Sequence, residues 1–297
     1  PATLMLYVLN GWFLGRQNAR FPMYIAFLVN GVNIAANLYF VKGLQLNAAG
    51  VAWGTLMAQY TGLALALVLW LKRYRALLSY FKPALQHGGG FQRFFSVNRD
   101  IFIRTLCLLL TFGFFTAESA RLGENILAVN TILLQFWTVM AYGIDGFAFA
   151  AESLVGKYLG AGQRQQLTRT LKALFVWGQG LGIAFALSYL FFFNELFSVF
   201  TDKPQLLSQA MPYLIWVVLG PLVNTPGFIW DGIYIGATAS VAMRNAMLIS
   251  TLLVFFPCYW LLSPYLGNHA LWLAMLCFML SRGVTLTLGA KRHIFSH

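Results

Sequence analysis

The sequence has few charged residues: Asp, Glu, Lys and Arg together make up 9% of its 297 residues. A soluble domain carries roughly 25% charged residues, so this chain has too little charge to cover a water-facing surface. Acidic residues are the scarcer kind, with 8 Asp and Glu against 20 Lys and Arg. The shortage of charge excludes an ordinary soluble domain.

Residues that carry catalytic or metal chemistry are also scarce. Four histidines lie in predicted loops or at the tail, and neither an HExxH zinc signature nor a GxxxxGK[ST] phosphate loop occurs. The three cysteines, Cys107, Cys258 and Cys277, lie in apolar segments, where we expect them to pack as small hydrophobic residues. We therefore expect no metal site, no cofactor and no enzymatic activity, and we expect any transport to draw on a proton or sodium gradient.

Long apolar runs dominate what is present, and 59% of the residues are hydrophobic. A helix needs about 20 apolar residues to cross a bilayer. Runs of this kind cover residues 22–41, 51–71, 101–119, 126–150, 173–193, 209–236, 243–263 and 270–290. Backbone polar groups in lipid must bond internally, so these runs predict helices. The predicted fold class is therefore an all-α polytopic membrane protein embedded in a lipid bilayer, preceded by a shorter apolar segment at residues 2–14.

The basic residues lie mostly on one side of the predicted membrane. If loops alternate between the two sides, 17 Lys and Arg fall on one side and 3 on the other. An excess of Lys and Arg marks cytoplasmic loops. We therefore place residues 73–99 and the C-terminus in the cytoplasm. Because this pattern explains the net charge of +12, the charge does not indicate a nucleic-acid partner.

Two motif pairs recur along the chain at a constant spacing. Asn10–Gly15 resembles Asp231–Gly236, and Asn47–Trp53 resembles Asn268–Trp272, each at an offset of 221 residues. Two pairs in register predict two copies of a six-helix unit, the first of which would begin upstream of this chain. Parallel repeats of this kind are common in transporters, with the substrate path between them.

The same motifs resemble a known family. The segments Gly11–Gly15, Gly146–Glu152, Gly156–Gly162 and Asp231–Gly236 are similar to those of the multidrug and toxic compound extrusion (MATE) transporters, in the branch of the DNA-damage-inducible protein F. The resemblance implies a two-lobed bundle of twelve helices, of which an N-terminally truncated chain would carry about eight and a half. It assigns residues 1–72 to the first lobe (the end of helix 4 and helices 5 and 6), 73–99 to a cytoplasmic linker and 100–297 to the second lobe with helices 7–12.

The resemblance also implies a function. It indicates a secondary active multidrug efflux antiporter, monomeric in a bacterial inner membrane, that exports bulky, often cationic compounds in exchange for protons. Asn33 and Asn37 occupy a position where some members carry an Asn and an Asp, which leaves a polar site in the first lobe. Leu108 and Asn224 stand near the positions where sodium-type members carry acids, so the sodium alternative is disfavoured. A flippase of lipid-linked saccharides on a related fold remains the alternative function.

Polar residues repeat every seven positions on three predicted helices. Seven residues are nearly two helical turns, so each set lies on one face. The sets are Arg104, Thr111 and Glu118; Thr131, Thr138, Asp145 and Glu152; and Asn224, Asp231 and Thr238. Ionisable residues inside spans are functional candidates because burying them is costly.

We expect Arg104 and Arg244 to pair with Asp145, Glu152 and Asp231 near the cytoplasmic end, with Glu118 in the same coupling or gate network. Asp231 would exchange its partner for a proton during the cycle. A permanent structural network is the alternative.

Aromatic residues supply candidates for substrate contact. Tyr142, Trp137 and Trp230, together with Asn224, could line a cavity in which rings attract a cationic compound. The alternative is that these side chains pack in the interior.

Overall fold

The structure is a computed structural model that describes residues 1–80 and 90–295. Helix α1 covers Ala2–Gly15 and α2 covers Arg20–Asn37, continued by a π-helical turn at Leu38–Gly43. Helix α3 covers Asn47–Tyr74 and is followed by a 3-10 segment at Arg75–Tyr80. The remaining helices are α4 Gly90–Arg121, α5 Glu124–Gly160, α6 Arg164–Phe191, α7 Phe193–Ser198, α8 Pro204–Ala210, α9 Leu214–Gly236, α10 Ser240–Leu248, α11 Phe256–Leu266 and α12 Asn268–His293.

The described residues contain eight helical segments long and apolar enough to span a membrane. Seven of them contain a predicted run in full, and Arg164–Phe191 covers all but the last two residues of the run 173–193, so the predicted all-α membrane fold is confirmed. Helix α1 is apolar but shorter, as the sequence predicted. A π-helical turn at Ile249–Phe255 joins α10 to α11, which together form one span, Ser240–Leu266.

The chain divides into two compact units, Pro1–Phe91 and Gln92–His297. Both ends of the expected 73–99 linker are helical, because α3 extends to Tyr74 and α4 begins at Gly90. The middle of that linker, including Lys82 and two of its three consecutive glycines, lies outside the described residues. In the first unit α2 packs against α3, and α1 completes a small apolar core around Phe13, Ile25 and Leu63.

Helix α9 is the centre of the second unit and packs against α5, α6 and α12. Its close approach to α5 depends on glycine, since a Cβ added to Gly232 or Gly236 would overlap the backbone of α5 at Ala148 or Glu152. Pro221 and Pro226 lie inside α9. Each proline removes a backbone donor from the helix and permits a bend there.

Candidate functional site

An ion-paired cluster joins three helices inside the second unit. Asp231 on α9 accepts hydrogen bonds from Arg104 on α4 and Arg282 on α12, both at carboxylate oxygen Oδ2. We call these three residues the charge cluster. The Arg282 side chain is only 3% exposed, against 9% for Asp231 and 17% for Arg104. Buried charges of this kind need partners, because removing one leaves an uncompensated charge in a low-dielectric interior.

The surroundings of Arg282 hold it against α9. Its Nη2 also lies 3.5 Å from the carbonyl oxygen of Gly227, and its guanidinium carbon lies 5.2 Å from the centre of the Phe228 ring. Gly227 lies close to the guanidinium, since a Cβ added there would be in ordinary van der Waals contact with Nε of Arg282 at 3.8 Å. The packing of α12 on α9 thus positions the arginine beside Asp231.

The charge cluster forms one wall of a cavity of about 340 Å³, which we call the charged cavity. Asp145 and Glu152 on α5 also line it, as do Phe112, Phe149 and other apolar side chains. Within residues 1–80 and 90–295, neither Asp145 nor Glu152 has a basic side chain within 4.0 Å. Two arginines therefore face three carboxylates. If all five groups were ionised, the cavity would carry one uncompensated negative charge.

Helix α4 begins earlier than the apolar run at residues 101–119 indicates. We expected Arg104 about one turn into its helix, but α4 begins at Gly90. Arg104 therefore lies about 21 Å along the axis from that helix end, and Arg282 lies about 17 Å from the end of α12 at His293. Asp231, by contrast, lies only about 8 Å along the axis from the end of α9 at Gly236, so the expected layer of charges near the cytoplasmic helix ends stays a prediction.

The expected pairing of Arg244 is wrong. Arg244 Nη1 lies 2.7 Å from Oδ1 of Asp100, whose other oxygen accepts a hydrogen bond from Ser240. Asp100 has a fully buried side chain and lies at the start of the span that contains Arg104. Because α4 begins at Gly90, Asp100 lies inside this helix. There its carboxylate bonds to Ser240 and Arg244 on α10. Arg244 thus fastens α10 to α4 rather than to the acids of the charged cavity.

The structure separates Glu118 from the network assigned to it. Its carboxylate accepts hydrogen bonds from Tyr259 at 3.0 Å and from Arg121 at 2.8 Å. Glu118 shares a face of α4 with Arg104, but the two residues are about 21 Å apart along the axis. Thr131 and Thr138, on the polar face of α5, donate to carbonyls of their own helix at 2.7 and 2.9 Å. Arg104, Asp145, Glu152 and Asp231 are the members of the three faces that line the charged cavity.

The proposed substrate-cavity residues do not line the charged cavity. Trp137 is buried beside Trp272 and donates from Nε1 to the carbonyl oxygen of Trp216 at 3.3 Å. Trp230 is buried against Phe175. These two rings are core residues because their neighbouring helices approach closely enough to cover them.

Asn224 is also buried, and its Oδ1 has no partner among the described residues. Tyr142 is 75% exposed.

The polar site of the first unit forms as a local pair. Asn37 Nδ2 donates to Oδ1 of Asn33 at 3.0 Å, and Asn33 Nδ2 lies 3.3 Å from the hydroxyl of Thr55. Gly54 leaves room for the Asn37 amide, because a Cβ at residue 54 would overlap its Oδ1. That oxygen is buried without a partner in the part of the chain that the structure describes.

Sequence reasoning missed two polar groups of the second unit. Arg282 is one of the 17 Lys and Arg that the sequence places on the cytoplasmic side. Its position inside the apolar run 270–290 is the signal that could have identified it as a buried cation. The second group is a buried network in which Asn130 joins Ser119, Asn268 and Trp272 through hydrogen bonds of 2.7–3.0 Å. These contacts tie α5 to the start of α12 and the end of α4.

The fold and the charged cavity define a polytopic helical membrane protein with ionisable groups inside its larger unit. A protein-family model described as MatE matches residues 101–260. The chain therefore belongs to the MATE family, as its motifs predicted.

Individual relatives agree with this assignment. The chain is 37% identical over 295 residues to the DNA damage-inducible protein F of Escherichia coli strain K12, covering 99% of this chain and 64% of that protein. It is 25% identical to the protein DETOXIFICATION 44, chloroplastic, of Arabidopsis thaliana, covering 98% of this chain and 54% of that one. The crystal structure of the Vibrio cholerae MATE transporter VcmN in the bent form shares the fold, with a TM-score of 0.79, 16% identity, and coverage of 98% of this chain and 66% of that one. The chain thus spans less than two thirds of the length of the two curated relatives.

Proposed function

We propose that the whole protein is a secondary active multidrug efflux antiporter that exports bulky, often cationic compounds in exchange for protons. The observation that carries the proposal is the charge balance of the charged cavity, in which three carboxylates face two arginines. An uncompensated carboxylate inside a membrane span is costly, so binding a proton relieves it. A site that gains and loses one proton while its surroundings change is the element that coupling requires.

The contacts of Asp231 favour a different acid as the proton carrier. Asp231 pairs with two arginines instead of one, so its carboxylate is the compensated group. Asp145 and Glu152 line the same cavity and have no basic partner within 4.0 Å among the described residues. We propose that Asp145 or Glu152 carries the proton, while Asp231 keeps α4 and α12 attached to α9.

The test uses the whole protein in liposomes loaded with a cationic dye. A proton gradient should drive dye export, and a sodium gradient of the same size should not. Export driven by sodium alone would contradict proton coupling. Translocation of a lipid-linked saccharide without dye export would favour the flippase. The flippase has less support from the charged cavity, because both of its arginines already bond to Asp231.

We further propose that the protein lies in a bacterial inner membrane with residues 73–99 and the C-terminus in the cytoplasm. The excess of Lys and Arg on that side supports the orientation. Two exposed positions on either side of the α5 span provide a matched test: Asn125 in its first turn and Gln163 in the loop between α5 and α6. A cysteine at residue 125 should react with an impermeant thiol reagent in intact cells, and a cysteine at residue 163 should react only after lysis. The reverse pattern would invert the proposed orientation.

A further inference from the structure

The first 99 residues contain no Asp or Glu. Nine basic residues precede Asp100, the first acid of the sequence: Arg16, Arg20, Lys42, Lys72, Arg73, Arg75, Lys82, Arg93 and Arg99. No basic side chain of this stretch can therefore pair with a carboxylate of the same stretch. Five of the nine lie close to helix ends. Arg16 and Arg20 lie where α1 ends and α2 begins, and Lys72, Arg73 and Arg75 lie at the end of α3. Any carboxylate or phosphate that pairs with these cations must therefore come from outside the segment.

A pocket of about 370 Å³ lies between these helix ends. Arg16, which follows α1, and Arg73, in the last turn of α3, line it together with Tyr74, Ala76 and Leu77. Both arginines are exposed, so their guanidinium groups are accessible to a ligand from outside the first unit. Arginine suits a phosphate group because its planar donors can bind two oxygens at once.

Tyr74 holds the pocket in shape. Its ring packs edge-to-face on Trp12, with centroids 6.4 Å apart, and lies against Phe13 at 6.2 Å. The guanidinium carbon of Arg16 lies 6.0 Å from the centre of the same ring. Asn18 Nδ2 is 3.5 Å from the hydroxyl oxygen of Tyr74. The pocket is therefore built from packed side chains and is more than a chance meeting of surface cations.

The depth of the pocket indicates where the anion comes from. Arg73, Tyr74 and Leu77 lie at the end of the span Asn47–Leu77. The end of a span is the level of the lipid headgroups, and tyrosine is enriched there. Leu71 and Val68, about one and two turns before Tyr74 on α3, are exposed apolar residues that can contact an acyl chain. A phosphate attached to a lipid meets both features, whereas a free phosphate uses only the arginines.

The helix dipoles account for part of the local charge. The C-terminal ends of α1 and α3 each carry about half a negative charge, which favours nearby cations. Two such ends amount to about one charge, against the five basic residues Arg16, Arg20, Lys72, Arg73 and Arg75. We propose that this pocket binds the phosphate group of an anionic membrane lipid through Arg16 and Arg73.

The test measures lipid binding to the purified whole protein in detergent. The melting temperature is recorded against increasing phosphatidylglycerol, phosphatidylcholine or inorganic phosphate. The proposal expects a rise with phosphatidylglycerol that neither of the other two produces. The double variant Arg16→Gln/Arg73→Gln should weaken the apparent affinity for phosphatidylglycerol roughly tenfold. The matched control Arg20→Gln/Arg75→Gln loses the same charge from residues that do not line the pocket, and it should stay within about threefold of the unmodified protein.

Three results would overturn the proposal. Equal loss in both double variants would mean that the surface charge as a whole attracts the lipid. The same stabilisation by inorganic phosphate alone would mean that the pocket takes a free anion. No response to phosphatidylglycerol in the unmodified protein would mean that the pocket holds no lipid. If the Gln double variant does not fold, Arg16→Lys/Arg73→Lys keeps the charge and loses the two-oxygen geometry, so it should still weaken binding.

Discussion

Arg282 of α12 and Asp231 of α9 form a buried ion pair, and Arg104 of α4 bonds to the same carboxylate oxygen. Three helices that are far apart in the sequence are thereby joined at one atom. Because Arg282 is the most buried of the three side chains, its charge depends most on this contact. The pair therefore governs both the stability of the second unit and the shape of the charged cavity.

Arg282→Gln should lower the stability of the whole protein by about 3–5 kcal/mol, because it leaves three carboxylates with one arginine in a buried site. Adding Asp231→Asn should recover part of the loss, since it removes one of the uncompensated charges. Thermal melting in detergent measures both effects. The control is Lys291→Gln on the same helix, where the side chain is exposed. A double variant less stable than Arg282→Gln alone would contradict the electrostatic coupling.

The fold was predictable from the sequence because the length of an apolar run and the placement of Lys and Arg are local properties. The pairing of Arg104 with an acid was also predictable, since a buried cation needs a partner. The choice between acids was not, because it depends on how helices pack. Asp100 and Arg244 are 144 residues apart in the sequence, and only the folded chain brings them together.

The aromatic residues predicted to contact substrate do not line the charged cavity, and the sequence could not show this for a similar reason. A tryptophan has the same side chain whether it faces a drug or the core, so residue type alone could not separate the two. Trp137 is buried because α9 approaches it at Gly220, where an added Cβ would overlap the indole. Nothing in the sequence marks Gly220 as the residue that permits this contact.

Neutralising the acid that carries the proton should uncouple export from the proton gradient, and Glu152 and Asp145 are the two candidates. With Glu152→Gln or Asp145→Asn, two carboxylates face two arginines, so the cavity has no uncompensated charge for a proton to relieve. For the acid that carries the proton, dye export from energised liposomes should fall to the rate of liposomes without a gradient. Glu195→Gln, at an exposed position on α7, removes the same charge and should behave as the unmodified protein. Full gradient-driven export by both cavity variants would rule out the proposed coupling site.

The buried Asn130 network should contribute strongly to stability. Asn130→Ala removes four hydrogen bonds and leaves Asn268 and the Trp272 indole without partners. Each buried polar group left unsatisfied costs about 1–3 kcal/mol, so a total loss of about 2–6 kcal/mol is expected. Thermal melting reports it, with Asn125→Ala at an exposed position on the same helix as the control. Similar melting of the two variants would show that the network does not hold α5 to α12.

The contact between α5 and α9 should depend on Gly232. A Cβ at this position would overlap the backbone carbonyl of Ala148, and a backbone cannot move aside as the end of a side chain can. Gly232→Ala should therefore push the two helices apart and cost about 1–3 kcal/mol or more. Because Asp231 precedes this glycine and Glu152 lies one turn beyond Ala148, the displacement should also widen the charged cavity and reduce gradient-driven export.

Gly146→Ala is the matched control, since no atom lies within 4 Å of a Cβ at that position of α5. It should change stability by no more than about 0.5 kcal/mol, or raise it slightly because alanine favours a helix over glycine. Melting temperature and dye export are measured for both variants in the whole protein. If Gly232→Ala behaved as Gly146→Ala does in both assays, the two helices would not be in the close contact that places Asp145, Glu152 and Asp231 around one cavity.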